Sequence, residues 1–179
     1  PRTSDGSLLF LQHMISKMEP NGSRIGIVFN GSPLFTGDSG SGESEIRKWI
    51  IENDWLETIV QLPDRMFFNT GITTYLWIIT NKKSSNGKGK IQLIDGSSFY
   101  NHIKKNLGDK SKEINDINKN EILKTYQEYK ENEISKIFEN DYFCYTKVQV
   151  EQPLKKNGDL VKLKNGTPKP DTKLRNHER

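Results

Sequence analysis

The residues whose types and spacing first suggest chemistry lie at positions 30 to 46, in the run NGSPLFTGDSGSGESEI. Gly37-Asp38-Ser39-Gly40 has the composition of a nucleophile loop. A serine nucleophile needs a base within hydrogen-bond reach and a group that orients the base. The candidate bases are His13, His102 and His177. His13 lies in an amphipathic helical stretch and His177 in a polar tail. Position 41 is serine, so the Gly-x-Ser-x-Gly elbow is absent. The same loop makes a poor phosphate cradle. Glu43-Ser44 follows Gly42 where a phosphate loop has Lys-Ser or Lys-Thr, and Glu45 stands where a dinucleotide fingerprint has its third glycine. Two glutamates at the start of a helix repel phosphate. One cysteine, Cys144, and three scattered histidines form no metal-ligand pattern.

The more informative stretch is QLPDRMFFNTGITTYLWIIT, Gln61 to Thr80. Leu62-Pro63 ends one strand and Thr73 begins the next. Between them Phe67 and Phe68 meet a tight Asn69-Thr70-Gly71 turn. Two readings stand. Phenylalanine is usually buried, which makes these core residues under a hairpin. Alternatively, an aromatic at the rim of a sheet stacks on a planar ligand such as a nucleobase. Lys82, Lys83, Lys88 and Lys90 follow the second strand. They read either as contacts to DNA phosphates or as a solvated lysine loop.

These residues need elements to hold them. Leu8, Leu11, Ile15 and Met18 recur at helical spacing, with Asp5 or Ser7 as cap. RIGIVF, Arg24–Phe29, is short and β-branched and reads as a buried strand. A helix follows from about Glu43 to Asn53, with Ile46, Trp49 and Ile50 on one face and Glu43 and Glu45 at the positive end of its dipole. LETIVQLP reads as a strand closed by Pro63. TTYLWIIT reads as a strand buried on both faces. Too few residues separate these two strands for a crossover helix, so they form an antiparallel pair. KIQLID, Lys90–Asp95, is a further strand. A capping box at Asn118 and Glu121 starts a late helix bearing Ile122, Tyr126 and Tyr129. A short strand is expected near Thr146–Glu151. DLVKLK, flanked by Asn157-Gly158 and Asn165-Gly166, reads as one arm of a hairpin. The pattern is α/β with a mixed sheet.

Bulk properties bound the rest. The 179 residues suffice for one core with an appendage, and 32% hydrophobic against 28% charged is polar for a compact domain. The net charge of +4 is uneven: Lys155–Arg179 carries +5 and the remainder −1. A basic tail either tracks phosphates or is a solvated extension. The longest apolar run, Tyr75–Ile79, is too short to span a bilayer, and no signal peptide is visible. With a single cysteine, this points to a cytoplasmic setting. The first residue, Pro1, suggests a piece of a longer polypeptide. Composition divides the chain into residues 1–100, a helical extension at 101–154 and a tail at 155–179.

Long stretches of the sequence resemble one family. SDGSLLFLQHMISKM (Ser4–Met18), Ser23–Pro63 and FFNTGITTYLWIITN (Phe67–Asn81) are similar to the modification subunits of type I restriction systems. The similarity continues through KIQLIDGSSF, SKIFENDYF and VEQPL to GTPKPDTKLR. Ser23 stands where the family usually has glycine. The resemblance implies an adenine-N6 DNA methyltransferase with a Rossmann-like, S-adenosylmethionine-dependent catalytic domain. The family's cofactor loop and its Asn-Pro-Pro-Phe motif are not in this sequence, so the chain corresponds to the later part of that domain. It is expected to contain no catalytic residue, to bind no cofactor and to be inactive alone. By the same resemblance, Arg24–Phe29 is the fifth strand of the fold, and Leu56–Gln61 and Thr73–Thr80 are its last two, an antiparallel pair at the sheet edge. The aromatic before Asn-Thr-Gly lines the target-base pocket: Phe67 first, Phe68 second, with Asn30 and Gly31 near the pocket and Thr70 and Gly71 shaping its rim. The implied partners are DNA, a specificity subunit, a restriction subunit and a second modification subunit. A non-enzymatic role, as an assembly module contacting the specificity subunit and DNA, is the alternative.

Overall fold

The computed structural model describes residues 5–178, without the side chains of residues 149 and 173–178. The described residues form two compact units, divided at 143/144. The division differs from the one read from composition, because the strand at Val148–Pro153 pairs with the basic tail.

In the first unit the elements are α1 (Ser7–Ile15), β1 (Arg24–Asn30), the short α2 (Ser32–Phe35), α3 (Gly42–Glu52), β2 (Leu56–Gln61), β3 (Thr74–Thr80), β4 (Lys90–Asp95), β5 (Asn101–Leu107), β6 (Lys110–Glu113), α4 (Asp116–Glu128) and β7 (Ser135–Glu139). Five strands form one mixed sheet in the order β1-β3-β2-β4-β7. β3 is antiparallel to both β1 and β2, and β4 is parallel to β2. β1, β2 and β4 therefore point the same way. The expected antiparallel pair is present but does not lie at the sheet edge: β4 pairs parallel with β2 and β7 pairs with β4, so the sheet extends past it.

The sheet is covered on both faces. α1 and α3 supply Leu8, Leu11, Ile15, Ile46 and Ile50, which pack on Ile25, Phe29, Ile59, Trp77, Ile79 and Ile91. Phe29 meets Trp77 edge-on, with ring centroids 5.4 Å apart. α4 covers the other face over β2 and β4, which is why every residue from Leu56 to Val60 is buried. β1 was expected to be buried throughout, yet Val28 on that second face is exposed. The strand lies at the end of the sheet, beyond the reach of α4.

Polar groups tie α4 to the sheet. The Glu57 carboxylate accepts two bonds from the Arg24 guanidinium, each 3.2 Å, and one from the Tyr126 hydroxyl at 2.7 Å. Burial, reinforced by that carboxylate, pushes the Tyr126 phenol up to about 12. Gln92, fully buried, bonds Thr58, Ser135 and the Thr125 carbonyl. The α4 cap is Asn115, whose side chain accepts from Asn118 N at 2.8 Å, not Asn118 itself. Helix α3 starts at Ser41, whose hydroxyl accepts from Ser44 N. At α1, the Asp5 carboxylate accepts from Ser7 N at 3.0 Å.

The second unit contains β8 (Val148–Pro153), β9 (Lys155–Lys156), β10 (Asp159–Leu160) and β11 (Pro170–Glu178). β9 and β10 form the hairpin expected around Asn157-Gly158, with both turn residues at positive φ. β8 pairs with β11. No helix of the described residues is long and apolar enough to cross a membrane.

Candidate nucleic-acid interface at the sheet rim

The carboxyl ends of the three co-directed strands form a row. Asn30 ends β1 opposite Thr74, and Gln61 ends β2 opposite Tyr75 on one side and Asp95 on the other. In open α/β sheets ligands bind outside this edge. The loop from Leu62 to Thr73 follows β2 at this edge. Leu62 N donates to the Thr74 carbonyl at 2.8 Å, and Pro63 is buried, so both ends of the loop are fixed.

The tip of the loop is exposed. Phe67 and Thr70 form a single antiparallel bridge, which Asn69 closes with a φ of 55°. Phe67 is 41% exposed and Phe68 61%. Neither is core, so the reading from composition is corrected: the loop lies beyond the end of the sheet, where no helix covers it. Thr70 is half-buried and Gly71 exposed. Gly71 lies three residues before Thr74, the partner of Asn30 in the sheet. The Asn30 carbonyl oxygen of the side chain accepts from Ser32 N at 2.9 Å. A side chain at Gly31 would meet the rings of Phe35 and Tyr75, each 3.7 Å from the first added carbon. Phe67, Phe68, Thr70, Gly71, Asn30 and Gly31 thus share one end of the sheet.

The four lysines do not join them. Lys82 and Lys83 follow the far end of β3, about 20 Å away along a seven-residue strand. The Lys83 ammonium is buried, bonded to Asp54 at 2.5 Å and to the Lys90 carbonyl at 2.7 Å. Burial opposes the Asp54 carboxylate, but bonds from Lys83, Gly89 N and Asn140 outweigh it and hold Asp54 below the usual range. Lys83 is thereby committed to the fold. Lys82 reaches the Asn21 carbonyl, and Lys90 pairs with Glu139. Lys88 and Lys90 line a polar cleft of about 450 Å³ with Ser85, Asn86, Tyr129 and Ile137.

The sequence reading placed residues 101–154 in a helical extension, but residues 101–113 form the hairpin β5–β6, whose residues lack an apolar helical stripe, and this is where rim residues were missed. The hairpin β5–β6 packs on the loop: Ser111 N and Lys112 N both donate to the Arg65 carbonyl, at 3.1 and 3.3 Å. Lys112 pairs with Asp64, and its ammonium lies 3.9 Å from the Tyr100 ring centroid. The Lys112 bond holds the Asp64 carboxyl below its ordinary range. The signal for this hairpin was Gly108-Asp109 between lysine-bearing segments. Thr74 was also missed. It is buried at the rim, and its hydroxyl has no hydrogen-bond partner among the described residues.

Ser39 is exposed and its hydrogen bond runs from its own N–H to Asp38. No histidine bonds to it among the described residues, and the side chain of His177 lies outside them. No cluster of described His, Cys, Asp or Glu side chains could hold a metal ion.

The N-6 DNA Methylase family model matches residues 1–159. The chain belongs to this family. Among curated relatives, it is 33% identical over 103 residues to the type I restriction enzyme MjaIX methylase subunit of Methanocaldococcus jannaschii, covering 58% of this chain and 18% of the relative. It is 30% identical over 144 residues to the MjaVIII methylase subunit of the same organism, covering 76% and 24%. The fold matches the type I restriction-modification methyltransferase subunit from Streptococcus thermophilus, with a TM-score of 0.67 and 24% identity over 79% of this chain and 28% of that one. This N-6 methylase chain therefore spans about a fifth to a quarter of the length of these curated relatives. The resemblance read from the sequence and the mixed α/β fold are both borne out.

Proposed function

We propose that this chain is part of a type I restriction-modification enzyme that transfers the methyl group of S-adenosylmethionine to adenine N6 in DNA, and that it supplies the rim of the target-base pocket. The observation that carries this reading is the pair Phe67 and Phe68, exposed at the carboxyl edge of the sheet in an N-6 methylase chain. Adenine N6 is inaccessible inside a duplex, so the base must be extruded at a cost of a few kcal/mol. Stacking on an aromatic side chain offsets about 1–3 kcal/mol of that cost. Phe67 is the platform, Phe68 flanks it, and Asn30, Gly31, Thr70 and Gly71 bound the space around it.

The residues of this chain do not fit the cofactor. The glycine-bearing loop after β1 spends its polar groups on itself: Arg47 donates to the carbonyls of Pro33 and Thr36, and Ser41 caps α3. The cofactor loop and the acceptor of the amino proton belong to other segments of the enzyme, and this chain alone neither binds S-adenosylmethionine tightly nor methylates. Micromolar binding in a calorimetric titration would overturn that statement.

Phe67→Ala in the complete enzyme tests the pocket. Loss of 1–3 kcal/mol of stacking lowers kcat/KM about 5- to 150-fold while complex assembly survives. Collapse of assembly instead would make Phe67 a structural residue. The specificity subunit, the restriction subunit and a second modification subunit are the proposed partners. A second reading concerns residues 144–179, where exposed Val148, Val150, Leu160 and Leu163 suit an assembly surface. It is compatible with the first, and the same variant separates them.

A further inference from the structure

The hairpin β5–β6 pairs with no strand of the five-stranded sheet and contributes nothing to the core. β5 is exposed along nearly its whole length, and β6 is half-buried except at Glu113. It carries Lys104, Lys105, Lys110 and Lys112 against Asp109 and Glu113. A two-stranded hairpin is only marginally stable alone in water. This one is held by the loop at the sheet rim, through the two bonds to the Arg65 carbonyl and the Lys112–Asp64 pair. Its turn fits closely as well: Gly108, at φ 61°, leaves only 2.9 Å between an added Cβ and Asn69 Oδ1. Lys112 is used in this anchoring. Lys104, Lys105 and Lys110 make no ion pair among the described residues, and the Lys110 ammonium stands 5.5 Å from the centroid of the exposed Phe68 ring.

We propose that the β5–β6 hairpin holds the DNA phosphate backbone beside the extruded base, with Lys104, Lys105 and Lys110 as its phosphate contacts. The inference rests on the reading of Phe67–Gly71 as the rim of the target-base pocket. A nucleotide's phosphates are one sugar away from its base, so a cation over Phe68, the ring that flanks the platform, is within reach of the phosphates flanking a stacked base. β5 extends about 20 Å, a distance over which one DNA strand presents about six phosphates. Contacts of this kind fix the position of the duplex and carry no sequence information. The hairpin thus sets where the strand lies, while the recognition sequence is read elsewhere.

The test is the salt dependence of binding to a mixed-sequence DNA duplex by the complete enzyme, between about 50 and 200 mM salt. Each lost phosphate contact lowers the slope of log K against log salt by about 0.9, so Lys104→Gln/Lys105→Gln/Lys110→Gln lowers it by about 2.7. The corresponding triple arginine variant retains the slope. Lys48→Gln, an exposed lysine of α3 paired with Glu52, serves as the charge-loss control and leaves the slope unchanged. An unchanged slope in the triple glutamine variant overturns the inference, as does an equal effect per charge from Lys48→Gln. If the slope is unchanged while Phe67→Ala lowers kcat/KM as expected, only the hairpin's role falls. If Phe67→Ala leaves turnover intact, the pocket reading on which the inference rests falls.

Discussion

Replacing Gln92 with leucine probes the polar layer under α4. Gln92 is fully buried on β4, between β2 and β7. Its side-chain oxygen accepts from the Thr58 hydroxyl at 3.3 Å, and its amide donates to the Thr125 carbonyl at 3.1 Å and the Ser135 hydroxyl at 2.9 Å. Leucine has a similar volume, so the perturbation is the loss of three hydrogen bonds in a dry site. Each buried group left unpaired costs about 1–3 kcal/mol. The added apolar burial returns about 1–2 kcal/mol. With three groups affected, the net expectation is a loss of between about 1 and about 8 kcal/mol of stability. Urea unfolding followed by tryptophan fluorescence reads it, because Trp77 lies inside the core and Trp49 and Trp55 pack against it. Removing the partner as well, in Gln92→Leu/Thr58→Val, recovers about 1 kcal/mol relative to the sum of the single variants, since a matched apolar pair leaves no orphaned hydroxyl. Gln92→Leu with wild-type stability, or strict additivity in the double variant, would refute the reasoning.

Three further outcomes follow from the same geometry. Tyr126→Phe removes a hydrogen bond to a buried carboxylate and lowers stability at neutral pH by about 1.5–3 kcal/mol. The folded-state phenol is pushed up to about 12, so its contribution is complete below the unfolded value near 10 and is lost as pH rises through 12. The variant therefore flattens the alkaline decline in melting temperature between those values. Lys83→Ala removes the charged partner of Asp54, which keeps its bonds from Gly89 N and Asn140, and costs about 1–3 kcal/mol while leaving the salt slope of DNA binding unchanged; a lowered slope would reinstate Lys83 as a phosphate contact. Gly96→Ala places a Cβ 2.6 Å from the Gln61 carbonyl at the rim. The rim must shift, which costs about 1–3 kcal/mol and lowers turnover; crystals showing an undisturbed Leu62–Thr73 loop in this variant would contradict that.

Much of the fold was legible because local signals agreed. The apolar stripe of α1, the paired glutamates opening α3 and the β-branched runs of β1, β2 and β3 each point to the element observed. The Asn157-Gly158 turn did the same for β9–β10. Other elements were hidden for physical reasons. β7 (SKIFE) is short, and pairing with β4 decides its state. β5–β6 has no apolar face, so no periodicity marks it. The cap of α4 moved from Asn118 to Asn115 because either asparagine has a suitable side chain, and the backbone entry angle selects one.

By itself, the sequence determined the family and the α/β alternation, because these reside in residue identity and short-range spacing. Tertiary structure alone decided the rest. Burial depends on what packs overhead, so only the folded chain exposes Phe67 and Phe68 and buries Lys83 with Asp54. Proximity depends on register, so only the sheet places Asn30 beside Thr74 and sets Lys82 some 20 Å from the rim. The lysines that reach the rim come from β6, more than forty residues beyond Phe67, at a separation where sequence spacing carries no information about contact.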